Sequence, residues 1–196
     1  MAYIGMRKPV AAVIASHTDG SAISYSTGFL IGTAVSATIN QDFSDNPDYG
    51  DDVIQDNDTG MSGYTGTMET NDLTDTVRAT LLGWDKTNIG TTSAPEYVYN
   101  VGDGSPPYVG FGFIRVKMYQ ATKSYEAFWF HKAQFMENSF NASTKQKQIS
   151  WNHPSLNISG MGAYIDSTGV AKYFDFKTFD TETAAWTWLK GKAGIT

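Results

Sequence analysis

Along residues 29–40 the side chains alternate in character. Phe29, Ile31, Thr33, Val35, Ala37 and Ile39 share one face, and Leu30, Gly32, Ala34, Ser36, Thr38 and Asn40 share the other. A period of two marks a strand, and the first, more apolar face is expected to meet a core. A second alternation sets Thr65, Thr67 and Glu69 against Tyr64, Gly66 and Met68, predicting a strand over 63–70. The two are expected to form a hairpin with a long connection of about twenty residues, a length usually kept for function.

The period then changes. In NDLTDTVRATLLGWDK, residues 71–86, Leu73, Val77 and Leu81 recur every four positions, the spacing of one helical stripe. Asn71 or Asp72 supplies an N-cap, Asp75 sits in the first turn where the helix dipole favours a carboxylate, and Gly83 is a natural stop. The helix, over 71–83, has one apolar stripe and is expected to lie across a sheet. Further strands are predicted at 97–101, 108–119, 125–135, 147–152, 156–164 and 172–176. In YEAFWFHKAQF, Phe128 and Phe130 point opposite to Trp129 and His131, so that strand should be covered on both faces. Gly110 and Gly112 fall within another strand, where close packing is the plain reading. Thr181 is placed to cap a short closing helix with Trp188 and Leu189 on its buried side. The opening MAYIGMRKPVAAVIAS carries Arg7 and Lys8 ahead of an apolar run, as a signal peptide does. That run is short and opens on Pro9, so a first strand is the better reading.

Composition supports a mainly β protein. The chain holds 11 Tyr, 11 Phe and 5 Trp, residues that favour pleated, half-buried surfaces. Its 196 residues suit one domain, 1–196, with room for a sizeable core. No run approaches the ~18 apolar residues of a spanning helix, so no membrane is expected. The absence of cysteine excludes disulfides and thiolate metal sites.

Charge is unevenly spread. Residues 1–77 carry a net −9 and residues 78–196 a net +3. Such polarity suits oriented association, one face of a copy meeting the opposite face of the next. It opposes nucleic-acid binding through the N-terminal half, which lacks a basic footprint. The acidity peaks in FSDNPDYGDDVIQDNDTG, residues 43–60, with six aspartates and no cation.

Calcium binding and acid–base catalysis are the two chemistries that such a segment suggests. An EF-hand needs glycine at position 6 and glutamate at position 12; counting from Asp56 puts Gly60 one place early and Thr67 at position 12, and from Asp45 Pro47 breaks the pattern at ligand position 3. A calcium site of another geometry stays open beside the plainer reading of a solvated acidic loop. Catalysis by Asp51 and Asp52 needs one carboxyl buried with a raised pKa, and so polar a loop offers no apolar pocket. His17, His131 and His153 have no metal-ligand partner at helical or strand spacing, and GMSG at 60–63 lacks the spacing of a nucleophile elbow. No catalytic residue, metal ligand or cofactor is assigned.

The order of features resembles the major tail proteins, or tail tube subunits, of long-tailed, non-contractile bacteriophages. Five places carry the likeness over roughly residues 3–190. A strand leads to a Tyr-x-Asp-Asp element (Tyr49, Asp51, Asp52), and a helix ends Leu81-Leu82-Gly83. A Pro-Pro-Tyr-Val strand follows from Pro106 to Val109, then Phe130, Lys132 and Phe135 in an apolar-x-Lys-x-x-Phe pattern. The last is a Thr144-Lys145 segment before Ile149.

The resemblance implies a β-sandwich or half-barrel with a flanking helix, assembled as hexameric rings that stack into the tail tube. Implied partners are further copies, the tape measure protein, and tail tip and terminator proteins; DNA passes through the lumen without specific binding. The implied location is the virion, with host cytoplasm during assembly. A wall that lets DNA slide should be neutral or acidic, so a net negative lumen is expected. The segment 42–62 becomes an assembly loop, with Asp45, Asp48, Tyr49, Asp51, Asp52, Asp56 and Asp58 as candidates. A ring-to-ring contact is the favoured placement, with Lys145 and Lys147 as complementary cations. The rival expectation is a secreted, calcium-dependent β-sandwich binding module.

Overall fold

The computed structural model describes residues 2–102, 104–137, 139–140 and 152–195. Among these, strands β1 (Ala2–Ser16), β2 (Ser24–Tyr25), β3 (Phe29–Leu30), β4 (Ala34–Gly50) and β5 (Val53–Thr70) precede helix α1 (Asp75–Leu82). A ribbon of β6 (Asp85–Asn88) and β7 (Tyr97–Asn100) follows. Then come β8 (Val109–Tyr119), β9 (Thr122–Met136), β10 (Ser155–Gly160), β11 (Phe174–Phe179) and helix α2 (Glu182–Ala193).

The main sheet runs β2-β1-β8-β9-β10-β5-β4, with β3 also on β1 and β11 also on β9. Every pairing is antiparallel. The second edge of β9 is shared: residues Tyr125 to Phe130 meet β11, and Ala133 to Met136 meet β10. Strands β1 and β4 are far apart along this path yet come close in space, so the sheet curls into a half-barrel. No helix among the described residues is long and apolar enough to cross a membrane.

Two cores use the two faces of the sheet. Inside the curl lie Tyr64, Met68, Phe111, Phe130, Phe135 and Leu156, closed at one end by Leu81 and Leu82 of α1. Phe111 and Phe130 stack with ring centroids 4.6 Å apart. Outside, Ile114, Ala127 and Trp129 pack beneath Ala185, Leu189 and Ala193 of α2. Strand β9 is therefore apolar on both faces, as its alternating aromatics predict. Gly112 lets α2 sit down on the sheet, because a Cβ there would lie 2.7 Å from Leu189 Cδ1 and 2.2 Å from the Phe128 carbonyl.

Helix α1 starts later than expected. Its N-cap is Thr74, whose hydroxyl accepts from the Val77 amide, while Asp72 accepts from the backbone amide and hydroxyl of Thr33. Asp72 thus ties the entry to β4 instead of capping the helix. Gly83 stops the helix in the left-handed conformation, φ 71°. Leu81 is fully buried, with Leu73 and Val77 packed at its side. Thr181 caps α2 as the sequence predicts.

The strand expected over 29–39 is broken between β3 and β4, with a register shift after Ala34. Ile31, Ala37 and Ile39 face the inner core, while Val35 is exposed. The larger correction concerns 42–62. This segment is no loop: β4 and β5 pair almost to their ends, so it forms the distal half of one long hairpin. Of the strand expected at 147–152 only Asn152 is described, and it lies outside any strand.

Candidate functional site

The distal hairpin, residues 42–62, is an arm. Strand β10 pairs with β5 only from Tyr64 to Glu69, and β4 is the last strand of the sheet. Beyond Gly63, therefore, neither arm strand has a partner on its outer edge among the described residues. At ~3.3 Å per residue the nine or so residue pairs carry the tip about 30 Å from the body. Asp51 and Asp52 form the turn, with φ of 49° and 62°. Two consecutive left-handed residues make the two-residue turn that matches strand twist, and aspartate tolerates that region better than most side chains. Pro47 pairs with Asn57 and is accommodated because β4 is an edge.

The charge on the arm is uncompensated from within. Seven aspartates lie between 42 and 62, and no lysine or arginine does. Asp48 is directly opposite Asp56 across the strands, an arrangement that costs stability because like charges face each other. Asp58 is opposite Asn46, and Asp45 is opposite Thr59. Tyr49 is opposite Ile54, so these two large apolar side chains sit side by side near the turn. Phe43, Tyr49, Val53 and Ile54 are each more than half exposed. The candidates Asp45, Asp48, Tyr49, Asp51, Asp52, Asp56 and Asp58 thus share one element. Lys145 and Lys147 lie outside the described residues.

Other titratable clusters serve the fold. Glu126, nearly buried, accepts from Arg115 at 2.7 Å and Lys117 at 2.8 Å. Burial alone would raise its pKa, but the two cations hold it below the usual carboxylate range. The Arg78 guanidinium donates to Glu137, joining α1 to the end of β9, and this bond raises the arginine further.

A third cluster lines a cavity of about 220 Å³ between β2, β9, β11 and α2. His131 is buried there, its Nε2 3.4 Å from Asp175 Oδ1 and without a hydrogen-bond partner. Burial pushes the imidazole pKa down, and Asp175 opposes this only in part. Asp175 Oδ2 accepts from Lys192 at 2.6 Å, which pins the end of α2 to β11. The neighbouring Tyr25 hydroxyl donates to the His131 carbonyl, and burial pushes its pKa up to about 12. A neutral histidine beside a firmly protonated phenol is a packing arrangement, with no nucleophile activated. Among the described residues no three His, Asp or Glu side chains gather to hold a metal.

Sequence reasoning singled out the acids and Tyr49 and missed Phe43, Val53 and Ile54 among them. Phe43, Tyr49, Val53 and Ile54 interrupt the acidic run, an odd pattern for a purely solvated loop. No protein-family model and no curated protein matches this chain.

Proposed function

We propose that this protein is a structural subunit that assembles with copies of itself into stacked hexameric rings, forming the tail tube of a long-tailed phage. The arm is the observation that carries this reading. A projecting hairpin with free edges, exposed apolar side chains and self-repelling charge is poorly satisfied in a single chain and better satisfied against a neighbour. Three of the five places that carry the family resemblance fall on distinct elements of this fold. Tyr49, Asp51 and Asp52 are at the arm tip, Leu81-Leu82-Gly83 ends α1, and Phe130, Lys132 and Phe135 lie in β9. A contact between different surfaces of successive copies closes a ring when the rotation closes. In this reading the subunit assembles in the host cytoplasm and works in the virion, around a tape measure protein and later around DNA. The bore is net negative and lets DNA slide.

Calcium-dependent binding is the rival. The aspartates are strung along extended strands, which favours an assembly arm over a cation cage. Light scattering with size-exclusion chromatography, followed by negative-stain microscopy, separates the two. The proposal expects rings or tubes that are indifferent to EDTA; a monomer whose melting temperature rises with calcium supports the rival.

A further inference from the structure

Among the described residues the arm meets no receptor within its own chain, and the half-barrel has an unfilled mouth. At the end away from α1, Ala37, Ile39 and Gln41 of β4 face Phe113, Arg115 and Phe128 across a groove of about 240 Å³. The groove has room for one or two large side chains and opens directly from the inner core. Its aromatic wall continues outward: Phe128 stacks on Phe176 with centroids 5.7 Å apart, and Phe176 is 61% exposed. On the other side Arg115 lies 3.8 Å over the ring of Tyr3, itself more than half exposed. Among the described residues nothing covers this wall.

We propose that the groove is the receptor for the arm of a second copy, with Tyr49 and Ile54 entering beside Phe128 and Phe176. The inference rests on the assembly reading above and names the contact that such assembly uses. Charge supports the choice of occupant. Arg115 lines the groove, and it shares the single carboxylate of Glu126 with the neighbouring Lys117, so two cations there face one acid. The arm brings seven carboxylates and no cation. Docking sets Asp48 and Asp56 near cations and relieves their mutual repulsion. The groove also holds apolar surface that matches the pair at the tip, so both halves of the arm's character are met at one place.

Geometry adds a constraint. The arm starts one residue after Gln41, at its own groove, so it cannot fold back into it while the hairpin stays paired. Each contact therefore carries groove to groove over the arm's reach, about 30 Å. Repeated between copies, it closes as a ring or runs on as a stack according to the rotation.

The test uses two variants at exposed positions, with melting temperatures checked against the parent chain. One removes the tip (Tyr49→Ser with Ile54→Ser) and the other the wall (Phe176→Ser). Each alone is expected to stay a single chain. An equimolar mixture is expected to stop at two-chain complexes, because only one arm and one groove remain compatible. Because the chain has no cysteine, a second measurement is available. The double variant Val53→Cys with Thr178→Cys, which keeps Tyr49, Ile54 and Phe176, should give a ladder of covalent multimers when treated with a short bis-maleimide, and each single variant should not. If Phe176→Ser assembles like the parent, or the ladder is missing, the groove is not the receptor although the assembly reading stands. Closed two-fold dimers of the parent chain also overturn the proposal. A parent chain that stays monomeric in every condition overturns both.

Discussion

Replacing Asp48 by asparagine should tighten the arm of an unassembled subunit. Asp48 and Asp56 are cross-strand partners, which sets their Cβ atoms about 4.5–5.5 Å apart. Two unit charges at about 5 Å in water repel by roughly 0.8 kcal/mol. Screening with a Debye length of about 8 Å halves this at physiological salt, leaving about 0.4 kcal/mol. The arm's local opening should become roughly twofold rarer, and amide hydrogen exchange of residues 45–58 should slow by that factor. At about 10 mM salt the Debye length is near 30 Å, and the factor should rise to about three. At about 1 M it should vanish. The same substitution should weaken assembly, since it removes a charge that a basic neighbour would meet. Exchange that is unchanged, faster or indifferent to salt would refute the like-charge account of the arm.

The other expectations concern the core, pH and ionic strength. Leu189→Ala empties a fully buried site above Gly112 and should cost about 3 kcal/mol, within the usual 2–5. At roughly 2–4 °C per kcal/mol for a chain of this size, its melting temperature should fall by about 6–12 °C. His131 is buried with its pKa pushed down, against Asp175, Lys192 and Tyr25. The unfolded chain therefore takes the proton first, and stability should fall as pH drops below about 6.5, by at most ~1.4 kcal/mol per unit. Glu126 and Asp175, held low in the fold, lose their contribution only near or below pH 4, so melts between pH 7 and 5 isolate the histidine. In His131→Gln that slope should flatten. Assembly should weaken between about 50 and 500 mM salt, because the exposed pairs it forms are screened over ~10 Å or less; tube length that ignores salt would count against arm–groove attraction.

Much of the half-barrel was legible because period and burial agree. The aromatic alternation from Phe128 to His131 foretold a strand between two cores, and the Leu73-Val77-Leu81 stripe foretold a helix on a sheet. The arm's sequence reads as a loop because Asp, Asn and Gly are poor strand formers and Asn46-Pro47 signals a turn. Pairing overrode propensity: once Ala34 meets Thr70, the ladder runs outward and its midpoint falls on Asp51-Asp52. The two central turn positions are Asp51 and Asp52, so the usual Asn-Gly or Asp-Gly hairpin signal is missing. The N-cap of α1 moved to Thr74 because Asp72 is engaged by Thr33, a long-range contact that spacing cannot reveal. The ribbon of β6 and β7 was half seen, since Asp85–Asn88 is wholly polar and its pairing with Tyr97–Asn100 is the only reason it is a strand. Ile54 at the tip became meaningful only when register put it beside Tyr49.

The most direct test is electron microscopy of the concentrated parent chain at low and physiological salt, in parallel with the variant lacking Tyr49 and Ile54. The account predicts regular rings or tubes from the parent, with a central bore, and isolated particles from the variant. A parent chain that never assembles, or a variant that forms the same tubes, would contradict it.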